Sequence, residues 1–165
     1  MVSHYCDVMA RALAFSPEEI SELTFAGRVH DVGKIIVPER ILNKPGPLTD
    51  DEFYLVKMHA RVGSEIVASL PRSGMMVRAI ESHHEAFDGT GYPAALRGEE
   101  IPLWARILSV AEAYANMTAD RTFSNAKSSD QALLELGKMS GIRFDGMLVR
   151  ILVRELKAEK ASSNL

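Results

Sequence analysis

The chain has 165 residues, of which 47% are hydrophobic and 25% are charged, and its net charge is -3. This size and composition are typical of one globular domain with a substantial core. The slightly negative net charge does not indicate a basic surface of the kind that binds nucleic acid, so duplex nucleic acid is excluded as an expected partner. One cysteine, Cys6, excludes an internal disulfide framework. There is no signal-peptide pattern and no apolar run of membrane-spanning length, so we expect a soluble, cytoplasmic protein that does not bind a membrane.

Helical signals dominate the first third of the chain. Apolar residues at helical spacing predict a helix near residues 5–12. Ser16-Pro17-Glu18-Glu19 has the pattern of a capping box with proline at the first helical position. The helix that it opens should run toward His30, and Gly33 is a plausible stop. A short turn of helix is expected near residues 38–42.

A second capping box, Thr49-Asp50-Asp51-Glu52, follows the turn Asn43-Lys44-Pro45-Gly46-Pro47. It should open a helix that turns one apolar stripe inward. The residues expected on that stripe are Phe53, Val56, Ala60, Gly63, Ile66 and Val67. Another helix is expected over residues 74–84, and it should end where a histidine pair begins.

The second half of the chain predicts one long loop and three helices. Residues 85–100 are rich in glycine, and loops of this length in a compact domain are usually functional. Pro102 begins the most apolar helix, and two more helices are expected over residues 129–139 and 145–157. Residues 159–165 form a polar tail that we expect to fray. We therefore predict an all-α fold with a single compact helical domain over residues 1–158.

Two histidine clusters carry the strongest chemical signal. They are His30-Asp31-Val32-Gly33-Lys34 and His83-His84-Glu85, and His59 lies between them in the chain. Imidazole nitrogen and carboxylate oxygen are the ligands that iron, manganese and zinc accept in hydrolases. His4 has no ligand-like neighbour and is interpreted as an ordinary surface residue. A metal-dependent hydrolase is the first hypothesis.

The individual candidates differ in strength. A buried histidine or acid on an apolar helix face needs a partner, which makes His59 and Glu112 candidate ligands. His83 and His84 are consecutive, so on an ideal helix they diverge by about 100° and cannot easily bind the same ion. Two ions, or one ion and one substrate phosphate, fit that divergence better. Together these residues suffice for a dinuclear centre that Asp31 could bridge. Lys34 is a candidate for binding a substrate phosphate, although an ordinary surface lysine is the simpler interpretation.

These residues resemble the motifs of the HD-GYP family, a branch of the HD phosphohydrolases. The resemblance rests on the HD cluster at His30, on His59, on His83-His84-Glu85 and on Asp88-Gly89-Thr90-Gly91-Tyr92-Pro93. It extends to further segments: Lys44-Pro45-Gly46, Leu96-Arg97-Gly98, Ile101-Pro102-Leu103, Ala105-Arg106-Ile107-Leu108, Asp120-Arg121 and Phe144-Asp145. It therefore covers most of the chain.

The resemblance implies a helical domain with two or more divalent metal ions, typically iron or manganese, which hydrolyses cyclic di-GMP. It implies that metal ligands include the following residues: His30, Asp31, His59, His83, His84 and Glu112. Lys34 and Arg121 match substrate-binding residues, and Asp31 with Lys34 is implied in catalysis. Gly91-Tyr92-Pro93 corresponds to a loop beside the substrate, which is also implicated in contacts with diguanylate cyclase domains.

The chain departs from the family pattern at several positions. Glu112 and Ala115 stand where the family usually has aspartate, Ser124 replaces a common basic residue, and Gly146 replaces a common proline. The family also places a glutamate and a histidine ligand at positions that would precede Met1. The resemblance thus implies an HD-GYP domain cut inside its N-terminal boundary, either from a longer protein with a receiver or sensor domain or as a variant with an incomplete site. We expect weak activity or none from the chain alone.

Three functions follow from these observations. The first is a cyclic di-GMP phosphodiesterase that yields the linear dinucleotide or GMP. The second is a weakened module that binds cyclic di-GMP or a cyclase without efficient turnover, which Glu112 and Ser124 favour. The third, a hydrolase of mononucleotides, is disfavoured by the Gly91-Tyr92-Pro93 loop.

Overall fold

The computed structural model describes residues 1–119 and 126–162 of the chain. These ranges hold eight α-helices and two short 3₁₀ helices, and no β-strand occurs within them. The α-helices are α1 (Val2–Ala12), α2 (Pro17–Val29), α3 (Glu39–Leu42), α4 (Asp50–Val67), α5 (Gly74–Ser82), α6 (Leu103–Thr118), α7 (Ser129–Lys138) and α8 (Gly146–Ser162). The 3₁₀ helices are Val32–Ile36 and Gly98–Glu100. The all-α prediction is confirmed.

Local capping determines where several helices begin. The side chains of Ser16 and Thr49 each accept a hydrogen bond from the backbone N–H three residues further on. At both sites the glutamate at that position accepts a hydrogen bond from the backbone N–H of the capping residue. Both predicted capping boxes are therefore confirmed. Ser128 forms a third with Gln131, which was not predicted because glutamine is a less conspicuous cap signal than glutamate.

Helix α6 lies at the centre of the core. Its buried residues lie on most of its faces, and α1, α5, α7 and α8 all pack against it. A helix that is apolar nearly all round is expected to be buried in this way. Any polar side chain on its inner surface must therefore find a partner inside the protein. Glu112 is the acid in this position.

Helix α4 differs in part from its predicted orientation. Ala60, Gly63 and Val67 are buried, whereas Phe53 is 44% exposed and Ile66 is 42% exposed. The buried face of α4 is narrower than the sequence pattern indicated, because a 3₁₀ helix and α5 cover only one side of it. The prediction that Phe53 and Ile66 point inward is wrong.

Two other boundaries differ from the sequence pattern. Gly33 does not end the helical segment, because residues Val32–Ile36 form a 3₁₀ helix after α2 and Gly33 lies within it. Helix α8 continues to Ser162, past the position near Lys157 where its end was predicted. Its apolar stripe ends earlier than its backbone hydrogen bonding, so the pattern alone set the end too early.

A close approach between two glycines seats the 3₁₀ helix on α4. A methyl group on Gly33 would lie 2.0 Å from the His59 carbonyl oxygen and 2.5 Å from the Gly63 amide nitrogen. Only glycine allows two backbones to come this near. The contact holds the residues around Asp31 directly against the turn of α4 that carries His59.

None of the helices in residues 1–119 and 126–162 is both long enough and apolar enough to cross a membrane.

Candidate metal centre

Three buried histidines are oriented in the same way. The Nδ1 atoms of His30 and His83 lie 3.0 Å and 2.6 Å from the carbonyl oxygens of Gly27 and Ile80, and His59 Nδ1 contacts the Val56 carbonyl oxygen. In each case the carbonyl is three residues earlier in the same helical segment. A carbonyl accepts only from a protonated nitrogen, so Nδ1 carries the hydrogen and Nε2 keeps its lone pair. This arrangement is typical of metal-binding histidines.

The side chains with ligand atoms form two adjacent groups. One contains His59, His83 and His84, and the other contains His30, Asp31 and Glu112. Within each group the potential ligand atoms lie within 4.8 Å of one another. The residues come from α4, α6, the end of α2 and the end of α5, so the fold gathers distant parts of the chain. Each group has enough donors to hold a divalent ion.

Asp31 lies between the two groups. Its Oδ1 atom is 3.5 Å from His59 Nε2, and its Oδ2 atom is 3.5 Å from His30 Nε2. Each oxygen of the Asp31 carboxylate thus faces a histidine of a different group. Lys34 Nζ donates a hydrogen bond of 2.6 Å to Asp31 Oδ2, which places a positive charge at the edge of the same centre.

Unpaired acceptor atoms test whether metal ions fit this centre. Within the described part of the chain, the buried atoms Asp31 Oδ1 and His83 Nε2 have no hydrogen-bond partner. Nε2 of His84 and Nε2 of His59 lie 3.2 Å apart. Buried acceptors without a donor, such as Asp31 Oδ1 and His83 Nε2, are costly. A cation bound by these lone pairs would satisfy them, so the residues fit divalent metal ions.

The pKa values agree with a neutral, lone-pair-rich histidine cluster. Burial, together with the neighbouring histidines, lowers the pKa of His83 to about 3 and that of His84 to about 2. Burial also lowers the pKa of His59. Burial opposes ionisation of Asp31, but His30 and Lys34 outweigh it and hold the pKa of that carboxyl below its usual value. Neutral imidazoles beside an ionised carboxylate are the protonation states that bind metal.

His83 and His84 meet in the same group, contrary to the divergence expected on an ideal helix. Helix α5 ends at Ser82, and the two histidines lie in the turn that follows. Their ring centroids are 4.0 Å apart, and both rings approach His59. The predicted divergence rested on helical geometry that the chain abandons at this point, and it is wrong; His83 and His84 lie close enough for both to contribute to one ligand group.

Glu112 belongs to the second group despite its longer side chain. It projects from α6 toward His30 and Asp31 and is half-buried. Asn116, one turn later, donates a hydrogen bond of 3.2 Å to Glu112 Oε1. The sequence pattern on α6 did not single out Asn116, because an amide at that spacing is a common helix-surface residue.

The Gly91-Tyr92-Pro93 loop lies against this centre. The Tyr92 ring stacks on His84, with ring centroids 4.9 Å apart and planes 25° apart. Glycine is needed at position 91, because a methyl group there would lie 2.2 Å from the Ala86 amide nitrogen. Pro93 follows Tyr92 at the exposed edge of the loop.

Glu85 holds this loop in place through hydrogen bonds to its backbone. Its side chain is buried, and its two carboxylate oxygens accept hydrogen bonds of 2.7 Å and 3.1 Å from the backbone N–H groups of Ala94 and Leu96. Glu85 was noted in the sequence only as the neighbour of the histidine pair. Its place directly before a glycine-rich loop was the signal that could have identified this role.

A cavity of about 410 Å³ opens beside His84 and Tyr92. Phe53 and Arg143 line other parts of it. Neither residue was a predicted site residue. Phe53 was assigned to the core, and Arg143 was one of many charged residues, although it directly precedes the noted pair Phe144-Asp145. Its location beside His84 depends on the folding of the distant segment between α7 and α8.

Three further residues from the sequence analysis belong to neither ligand group as described. Arg121, predicted to bind substrate, and Ser124 fall outside the described residues. His4 is exposed on α1 and belongs to neither ligand group. This placement agrees with its interpretation as a surface residue.

Fold and site together define an all-helical domain with two adjacent candidate metal positions joined by one aspartate. The HD domain family matches residues 1–148 of this sequence. The chain belongs to the HD domain family, as its HD-GYP motifs predicted.

Curated relatives and solved structures agree with this membership. The chain is 39% identical over 155 residues to the cyclic di-GMP phosphodiesterase response regulator RpfG of Xanthomonas campestris pv. campestris, covering 93% of this chain and 41% of the relative. It is 33% identical over 154 residues to the 3'3'-cGAMP-specific phosphodiesterase 2 of Vibrio cholerae, covering 92% of this chain and 30% of the relative. The chain therefore spans less than half the length of either protein.

A solved structure described as an HDG"Y"P protein from Bdellovibrio bacteriovorus superimposes on the same fold. The TM-score is 0.73 at 24% identity, and the match covers 94% of this chain and 50% of the other. At this identity the likeness establishes the fold.

Proposed function

We propose that this chain is a metal-dependent phosphodiesterase domain that hydrolyses cyclic di-GMP to the linear dinucleotide or to GMP. The observation that carries the proposal is the pair of adjacent ligand groups, with Asp31 between them and with Asp31 Oδ1 and His83 Nε2 buried without a hydrogen-bond partner. The activity for which the Xanthomonas relative is named supports cyclic di-GMP as the substrate. The Vibrio relative makes 3'3'-cGAMP the substrate to compare with it.

The proposed ligands divide between two ions. His59, His83 and His84 would hold one, His30 and Glu112 the other, and Asp31 would contact both. Bound divalent ions supply Lewis acidity, which polarises phosphoryl oxygens and lowers the pKa of water. Iron or manganese is the metal that we propose, from the mixed imidazole and carboxylate donors.

The remaining side chains would bind and orient the substrate. Lys34 has a flexible ammonium group 2.6 Å from Asp31, and it would donate a hydrogen bond to a phosphoryl oxygen as negative charge develops there. Tyr92 stacks on His84 and would cover the side of the centre that faces the cavity. Gly91 packs on the Ala86 backbone beside Tyr92, and we propose that Gly91, Pro93 and Arg121 also contribute to substrate binding. A water molecule would form the new bond to phosphorus, the ester bond to the 3′ oxygen would break, and that oxygen would leave with a proton from the water.

The cellular setting is part of the same proposal. A hydrolase of a bacterial second messenger would work in the cytoplasm. The name of the Xanthomonas relative, a response regulator, supports a place in a longer protein with a receiver or sensor domain. Docking of a diguanylate cyclase domain on the Gly91-Tyr92-Pro93 loop stays a prediction from the family resemblance.

Metal content and hydrolysis, measured together, test the proposal. The protein is loaded anaerobically with iron or manganese and analysed for bound metal and for turnover of cyclic di-GMP. A variant with Asp31→Ala and His83→Ala should lose both. His4→Ala is the matched control, because His4 is an exposed histidine outside both ligand groups, and it should retain both.

The outcomes separate the alternatives. Unchanged metal content in the double variant would refute the ligand assignment. A parent chain that binds metal and cyclic di-GMP but does not hydrolyse the dinucleotide would favour the weakened binding module. Glu112→Asp, which restores the usual family residue, would then show whether the longer acid is the cause.

A further inference from the structure

The cavity beside the metal centre has two aromatic walls. Phe53 and Tyr92 line it, and their ring centroids are 6.4 Å apart in an edge-to-face arrangement. Ala86 and Ile142 add apolar surface. With a volume of about 410 Å³, the cavity is large enough for a nucleobase, which can stack on an aromatic ring. A bare phosphate would gain nothing from these walls.

Arg143 is the cationic side chain among the residues that line this cavity, and Lys57 Nζ lies nearby, 4.5 Å from the centre of the Phe53 ring and 5.3 Å from that of the Tyr92 ring. Its backbone is fixed to the base of the loop, because the Arg143 carbonyl accepts a hydrogen bond from Phe87 N–H at 3.1 Å and the Ile142 carbonyl accepts one from Asp88 N–H at 2.8 Å. Its guanidinium carbon lies 5.7 Å from the centre of the Phe144 ring. A base that enters the cavity would therefore meet a positively charged side chain whose backbone is fixed.

The guanidinium of Arg143 is available for a ligand. Across residues 1–119 and 126–162 it forms no hydrogen bond or ion pair. Asp88 Oδ1, on the same cavity, accepts hydrogen bonds from the Thr90 amide at 3.0 Å and from the Thr90 hydroxyl at 2.6 Å. Among the residues that line the cavity, Arg143 is the one whose planar guanidinium can donate two parallel hydrogen bonds to a base edge.

We propose that Arg143 selects guanine over adenine in the base that occupies this cavity. The guanidinium fork can donate two parallel hydrogen bonds to O6 and N7 of guanine. Adenine presents an amino donor in place of O6, so one of these bonds is lost and two donors face each other. The inference rests on the proposed function for the cyclic dinucleotide as ligand, and it adds a specificity-determining residue to it.

Equilibrium binding of non-hydrolysable phosphorothioate analogues of cyclic di-GMP and cyclic di-AMP to the metal-loaded chain tests the inference, because the proposed activity would consume the natural dinucleotides during the titration. Titration calorimetry gives both dissociation constants for the parent, Arg143→Ala and Arg143→Lys. Arg150→Ala is the control, because Arg150 is an exposed arginine of α8 that does not line the cavity. The parent should prefer cyclic di-GMP, and both Arg143 variants should lose roughly tenfold to a hundredfold of that preference. Arg150→Ala should keep it.

The Arg143→Lys variant distinguishes recognition by two parallel hydrogen-bond donors from recognition by positive charge alone. Lysine keeps the positive charge but not the planar pair of donors. If Arg143→Lys retains the full preference, or if both variants weaken the two dinucleotides equally, Arg143 binds phosphate or acts only by charge, and the inference is overturned. An unchanged preference in Arg143→Ala overturns it as well.

A separate measurement of hydrolysis distinguishes failure of the Arg143 inference from failure of the proposed phosphodiesterase function. A parent that binds cyclic di-GMP selectively but does not cleave it would refute the phosphodiesterase and leave the role of Arg143 standing. A parent that binds and cleaves both dinucleotides equally well would support the phosphodiesterase and refute the guanine selectivity.

Discussion

Replacing Gly33 by alanine should damage both the fold and the metal centre. The added methyl group would lie 2.0 Å from the His59 carbonyl oxygen and 2.5 Å from the Gly63 amide nitrogen. Normal contacts of a methyl carbon begin above about 3 Å, so the 3₁₀ helix or α4 must move by roughly 1 Å. Both contacts are with helix backbone, which cannot rotate away as a side chain can.

The magnitude follows from overpacking. Inserting a methyl group into a closely packed site costs about 1–3 kcal/mol, and we expect the upper end because backbone atoms must shift. The same displacement separates Asp31, two residues before Gly33, from His59, whose Nε2 atom is now 3.5 Å from Asp31 Oδ1. Metal affinity should therefore fall together with stability.

Urea unfolding of the chelator-treated protein, followed by metal analysis after reloading, measures the two effects. Gly137→Ala is the matched control, because a methyl group at Gly137 meets no atom within 4 Å and the residue lies inside α7. It should stabilise the protein by about 0.5–1 kcal/mol. If Gly33→Ala is as stable as the parent and binds the same amount of metal, the 3₁₀ helix does not seat Asp31 against α4 as described.

Three further predictions concern single side chains. Lys34→Ala should lower cyclic di-GMP hydrolysis roughly tenfold to a hundredfold, because a charge-assisted contact is worth about 1.5–3 kcal/mol, while metal content changes much less; full turnover would make Lys34 a surface residue. Glu85→Gln leaves one backbone N–H of the loop without an acceptor and should lower the free energy of unfolding by about 1–3 kcal/mol, measured in urea against the exposed control Glu99→Gln; equal stability would contradict the role of Glu85. Cys6 is fully buried and burial raises its pKa to about 12, so the folded thiol stays protonated between about pH 9 and 12 while the unfolded thiol ionises, and stability should fall with rising pH in that window. A thiol reagent at pH 8 should label Cys6 only as fast as the chain opens, and rapid labelling of the folded protein would contradict this burial.

Local sequence signals were sufficient for most helices and for the candidate ligands. Ser16 and Thr49 were recognisable as caps because a capping box is complete within four consecutive residues. The pairing of His30 with Asp31 and of His83 with His84 stood out because histidines are scarce in this chain. These features depend on neighbours along the chain, so they can be read without a structure.

Other features depended on how distant segments meet. The pattern placed Phe53 in the core because periodicity identifies an apolar stripe but not how much of it neighbouring elements cover. The same pattern predicted that the His83 and His84 side chains point in different directions, because it extended the helix through both residues. Arg143 gave no signal, since its place beside Tyr92 follows from the folding of a segment about fifty positions further along the chain.

The sequence by itself determined the helical class, the helix starts and the kinds of ligand atom available. Only the tertiary structure decided which of these atoms meet. Helical periodicity and capping are properties of a few consecutive residues, whereas a metal centre needs side chains from α2, α4, α5 and α6 to converge within a few ångströms. That convergence is set by packing, and here by the contact of Gly33 with the backbone of α4, because a single methyl group at this point would move Asp31 away from His59.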